Sequence, residues 1–159
     1  MPTRSTRATQ ILAGCALAFA AAVVPAAAGG NPSVEFLNSN KILKSGALPF
    51  SEAVRHGDTL YLSGQIGIVP GTLKLAEGGL AAEAKQALEN IRTILEANGR
   101  TTADLMKCTV MLADIAEWPT FNEVYKSFLK APYPVRSAFA TNGLAFGARV
   151  EVECIASAR

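Results

Sequence analysis

Two kinds of charge stand out against apolar surroundings. Residues 132–140 read PYPVRSAFA, so Arg136 sits in a short apolar run just after a Pro-Tyr-Pro turn. A buried cation needs a partner. Further on, Val150, Val152 and Cys154 alternate with Glu151 and Glu153, and a period of two puts both glutamates on one strand face. The same period in 135–140 places Arg136, Ala138 and Ala140 on one face and Val135, Ser137 and Phe139 on the other. Arg136 therefore rises from a floor of small residues. A guanidinium fork above such a floor suits a carboxylate or phosphate held bidentately. A structural ion pair with Glu151 or Glu153 is the other reading, and spacing alone does not separate the two. For the glutamates themselves, a solvated face competes with a catalytic one.

Weaker signals surround these. Ser63-Gly64-Gln65-Ile66 closes a strand; Ser63 and the Gly64 backbone either line a pocket rim or form a plain strand exit. Asn122 falls early in a helix, where local bonding is the ordinary role. Trp118 is read as packing, and Tyr61, Tyr125 and Tyr133 form no nucleic-acid-binding pattern. His56 is the single histidine and lies beside Gly57-Asp58 in a predicted turn. With it and scattered cysteines, the ligands for a zinc site are too few. A Ser-His-acid triad would require His56 to leave its turn.

These residues need elements to hold them. Residues 51–55 and 60–65 flank His56-Gly57-Asp58-Thr59 and predict a hairpin. A short strand is expected near 34–36, and Pro70-Gly71 marks a turn within the loop 66–79. Leu80, Ala84, Leu88, Ile91 and Leu95 form one apolar stripe, which predicts a helix over 80–97 ended by Asn98-Gly99. A helical turn is expected at 101–104 and a strand at 107–112. Pro119 suits the first turn of a second helix reaching about residue 130, with its stripe at Phe121, Val124, Tyr125 and Phe128. Strands follow at 135–140 and 150–156. The order is β-β-α-β-α-β-β. Each helix has one apolar stripe, so both are expected on one face of a single sheet, leaving the other face for copies of the same chain.

The first 28 residues read differently. Arg4 and Arg7 precede a 14-residue uncharged run, 11–24, and an Ala-rich site before Gly29-Gly30. That is the pattern of a secretory signal peptide cleaved after Ala28, and the run is too short to span a bilayer. An uncleaved anchor is the alternative, and Cys15 comes too early for lipidation. Without Arg4 and Arg7 the chain keeps 13 basic residues against 13 acidic ones. A neutral domain has no net field to gather nucleic acid or an anionic membrane. The expected division is a signal at 1–28, a partly irregular leader at 29–47 and one domain at 48–159. The expected location is periplasmic or secreted. Cys108 and Cys154 lie in strand-like runs and are read as buried free thiols, with a single disulfide as the alternative.

Several stretches together carry a resemblance. DTLYLSGQIG, EAKQALENIRTILEANG, FNEVYKSF, PVRSAF and VEVECIA resemble the reactive-intermediate deaminase family, the Rid or YjgF-like proteins, over roughly 48–158. The resemblance implies an α+β chorismate-mutase-like domain and a homotrimer with ligand clefts between subunits. It implies that Arg136 grips the carboxylate of a 2-imino or 2-enamino acid. Glu151 would place the water that attacks the imine carbon, leaving a 2-oxo acid and ammonia. Ser63, Gly64, Phe50, Asn122, Ser137 and Ala138 would line the substrate, with no metal or organic cofactor. Two positions depart from many catalytic members, which carry tyrosine where this chain has Phe50 and cysteine where it has Ala138. A trimer that binds a small carboxylate, or a chaperone-like protein, is therefore the alternative to an enzyme. Ribonuclease activity is a third, disfavoured by charge and by the single histidine.

Overall fold

The computed structural model describes residues 33–44, 46 and 49–159. The expected signal peptide at 1–28, with Cys15, lies outside the described residues. Among the described residues no helix is long and apolar enough to cross a membrane.

Among the described residues, seven strands make one sheet. The hairpin forms as the turn residues require: β2 (Ala53–His56) and β3 (Thr59–Leu62) pair antiparallel across Gly57-Asp58. Gly57 takes φ 58°, the left-handed region a two-residue hairpin needs. The early strand β1 (Val34–Leu37) lengthens this ribbon by pairing with β2. The expected strand at 60–65 is interrupted at Ser63-Gly64. Beyond the break, β4 (Gln65–Ile66) pairs with β7 (Val150–Ser157) instead of continuing β3. The chain order is therefore β-β-β-β-α-β-α-β-β, two strands more than the sequence reading counted. Across the sheet the order is β1-β2-β3-β7-β5-β6, with β5 at Leu105–Leu112 and β6 at Val135–Ala140. Strands β5 and β6 run parallel, joined by the crossover helix α2 (Trp118–Phe128); β7 runs antiparallel to β5.

Helix α1 (Gly79–Ala97) buries the whole expected stripe, together with Ala87 and Ile94. At its end Arg100 N–H donates to the Leu95 carbonyl at 2.8 Å and Gly99 sits at φ 69°. Both helices contribute to one core, where Leu60, Leu88, Ile91, Val110, Phe121 and Val152 are almost fully buried. Each such side chain contributes about 1.5–3 kcal/mol of apolar burial.

Register decides which residues share a face. Cys108 stands opposite both Arg136 and Cys154, and Val110 opposite both Ala138 and Val152; these face the helices. The opposite face has a row crossing six strands: Phe36, Val54, Tyr61, Ile155, Lys107 and Val135. Phe36, Tyr61, Val135 and Phe139 of that face are exposed by 71, 47, 68 and 47 %. No described element covers them.

The cysteines correct the sequence reading. Cys108 and Cys154 are joined in a disulfide, with Cα atoms 4.2 Å apart and a sequence separation of 46. They are direct neighbours on adjacent antiparallel strands, and both are buried. Strand-like runs identify buried cysteines; only the pairing of β5 with β7 shows that they meet.

Candidate active site

Arg136 lies on the helix-covered face of β6, an edge strand, and α2 closes over it. Its guanidinium donates to Asn122 Oδ1 at 2.6 Å. Its carbon lies 4.6 Å from the centroid of Tyr125, 5.7 Å from Phe121 and 5.9 Å from Trp118. Three aromatic faces attract a cation but neutralise nothing. No described carboxylate pairs with Arg136, so the alternative of an ion pair with Glu151 or Glu153 is overturned. Sheet parity gives the reason. Glu151 is in register with Met111 and Phe139, and an odd step along β6 from Phe139 to Arg136 reverses the face. Arginine and glutamate leave the same sheet on opposite sides.

Tyr125 is buried, and its hydroxyl has no hydrogen-bond partner among the described residues. Burial raises its pKa, and the positive charge of Arg136 opposes that rise. Beside Arg136 a groove of about 460 Å³ is walled by Ile115, Ala116, Trp118 and Pro119, with Ala138 also on its lining.

Glu151 lies in a different pocket, of about 260 Å³, where Phe50, Gly64, Glu52 and Phe146 also form the lining. Strand β4 brings Gly64 against it. A methyl group at Gly64 would come 2.8 Å from Glu151 Cδ, so only glycine leaves the carboxylate its place. Burial raises the Glu151 pKa above the ordinary glutamate value, and the charge of Glu153 raises it further. A carboxylate so placed is a better proton acceptor near neutral pH than an exposed one.

The remaining expected site residues divide between these places. Phe50 and Gly64 are with Glu151; Ala138 and Asn122 are with Arg136. Ser63 donates its hydroxyl to the Ser51 carbonyl at 2.7 Å and ties the segment before β2 to the residue after β3. Ser137 is exposed on the face opposite Arg136, so it is not beside that guanidinium in the same chain. Trp118, read as packing, is 41 % exposed and borders the arginine groove. Glu52 was not singled out. Its Oε2 accepts from Ser39 N–H at 2.6 Å, while Oε1 is buried without a partner among the described residues. The pattern Phe-Ser-Glu gives no sign of this, because the capture depends on where the segment after β1 folds back.

Comparison with known proteins agrees with this fold and these motifs. The Endoribonuclease L-PSP family profile matches residues 43–158. A human protein named 2-iminobutanoate/2-iminopropanoate deaminase is 45% identical over 68% of this chain and 79% of its own length. Among solved structures, yeast YEO7 aligns with a TM-score of 0.75 at 32% identity, covering 80% of this chain and 100% of that one. Escherichia coli TdcF with bound serine aligns with a TM-score of 0.69 at 31% identity, covering 77% and 96%. The chain belongs to this family, the Rid or YjgF-like proteins.

Proposed function

We propose that this protein hydrolyses reactive 2-imino and 2-enamino acids to 2-oxo acids and ammonia, in clefts shared by neighbouring subunits of a homotrimer. The observation that carries the reading is a cation held by an amide and three aromatic rings, with no carboxylate of its own among the described residues. Such a site is complete only when an anionic ligand arrives. The human relative is named for 2-imino acids, and the TdcF structure holds serine, an amino acid with a carboxylate.

The chemistry follows from the two side chains. Arg136 holds the substrate carboxylate through N–H groups not used by Asn122. Glu151 takes a proton from water as the oxygen attacks the imine carbon. The imine nitrogen is protonated, the carbinolamine collapses, and ammonia leaves. Holding an already electrophilic carbon beside an oriented water supplies proximity, and proton transfer adds about 10²–10⁴-fold.

Arg136 and Glu151 emerge on opposite faces of one sheet, so the reading needs two chains. The exposed apolar row from Phe36 to Val135 supplies a surface for association. Mixing tests the shared cleft. Arg136→Ala and Glu151→Gln subunits, each inactive alone, should recover about a quarter of wild-type activity when reassembled together, because each intact cleft takes one wall from each variant. No recovery would overturn the shared cleft.

We further propose that residues 1–28 direct export. The Cys108–Cys154 bond supports this, since such bonds persist in oxidising compartments. A periplasmic fraction containing a chain that begins at Gly29 is the expected result.

The direct assay generates 2-imino acids with an amino-acid oxidase while semicarbazide competes for them. Wild-type protein should divert imine from semicarbazide, and Arg136→Ala should not. A folded trimer that diverts none would make the cleft a carboxylate-binding site without turnover. Ribonuclease activity gains nothing from the geometry: His56 is exposed in the hairpin and lines neither pocket.

A further inference from the structure

We propose that the groove beside Arg136 is a side-chain subsite selecting substrates with long or branched aliphatic side chains, and that Trp118 and Ile115 are its specificity-determining walls. The inference rests on the reading that Arg136 holds the substrate carboxylate. Arg136 is the groove's one charged lining residue; the others are Ile115, Ala116, Trp118, Pro119 and Ala138. Trp118 and Ile115 are 41 and 53 % exposed, large apolar surfaces left in water directly beside a cation. In this subsite the substrate's carboxylate is on the guanidinium and its side chain lies against these walls. An aliphatic chain there releases water from both surfaces. A charged or hydroxylated chain would lose hydration and meet no polar partner on those walls. A methyl group would leave most of the groove, about 460 Å³, filled with water.

The walls are held in place. Asp114 Oδ1 accepts from Ala116 N–H at 2.9 Å, which fixes the turn that carries Ile115. Glu117, between Ile115 and Trp118, accepts from Arg149 Nε at 2.7 and 2.9 Å and pairs with its second nitrogen at 2.6 Å. Arg149 directly precedes β7, so the groove wall is tied to the strand that carries Glu151. The other pocket mixes Ile42, Leu43, Phe50 and Phe146 with Lys44, Asn90 and its carboxylates.

Trp118 is the chain's single tryptophan, so its fluorescence reads the groove directly. The test titrates pyruvate, 2-oxobutanoate and 4-methyl-2-oxopentanoate, which are 2-oxo acid products of increasing side-chain length. The last should bind about tenfold or more tightly than pyruvate, as added methylenes enter an apolar site. Calorimetry on Trp118→Ala and Ile115→Ala should show this preference reduced, and on Arg136→Ala all binding lost. Equal affinity across the series, or no binding of any 2-oxo acid, overturns the subsite. So does a preference unchanged in both wall variants. The hydrolysis assay separates the two claims. Chain-length-dependent binding without imine turnover keeps the subsite and removes the deaminase. Turnover with no chain-length dependence keeps the deaminase and removes the subsite.

Discussion

Glu151 is in a position where ionisation is costly. Burial and the neighbouring Glu153 both raise its pKa, so the folded protein holds the proton more tightly than the unfolded chain does. That contribution to stability is full at acid pH and is lost as pH rises through the folded-state pKa. Ionising this carboxylate is therefore a cost to folding. Glu151→Gln should lower imine hydrolysis by about 10²–10⁴-fold, the range for losing a general base. Thermal melting of the same variant should give a Tm equal to or above wild type. A loss of stability together with activity would mark Glu151 as a structural residue. With the base intact, kcat/KM should fall on acidification, with its midpoint above the ordinary glutamate value. Arg136 shows how far sequence alone reaches at this scale. Its isolation among small and apolar neighbours was legible, as was its separation from Ser137 by strand period. Its ring of Trp118, Phe121 and Tyr125 was not, because that ring exists only when α2 lies across β6.

Among the elements, those with a long internal period were the most readable. The stripe of α1 and the two-residue turn after β2 each follow from local chemistry. Strand β4 is two residues long and has no pattern of its own; its pairing with β7 defines it, and that pairing brings Gly64 under Glu151. The disulfide was hidden for the same reason. It links β5 to β7 across a separation of 46 residues, which no local signal encodes. Closing a loop of that length restricts the unfolded chain and stabilises the fold by about 3–4.5 kcal/mol. A Cys108→Ala, Cys154→Ala variant should therefore show a urea midpoint well below wild type, with a steeper slope because the unfolded chain is no longer cross-linked. An unchanged midpoint would mean the bond adds nothing that packing of β5 on β7 does not already supply.

For the whole molecule the decisive property is a sheet with two unlike faces. One is sealed by α1 and α2, and the other presents Phe36, Tyr61, Val135 and Phe139 to solvent. Phe139→Asp on the open face should give a chain with native circular dichroism that sediments as a monomer and does not hydrolyse imines. A trimer that persists in this variant would move the interface elsewhere. The two-helix, one-face arrangement was legible from the helix stripes. The division of Arg136 and Glu151 between opposite faces was not, since it depends on the register of three strands.

The bond between Cys108 and Cys154 has a further use. Both residues are 1–2 % exposed, beneath the helices and near the middle of the sheet. A reductant reaches the sulfurs only when the packing of the helices on β5 and β7 opens, so the reduction rate in native buffer times that opening. Plotted against denaturant, the rate would separate local opening from global unfolding. The molecule thus carries an internal clock for the opening of its central core, read by adding a thiol and counting free cysteines.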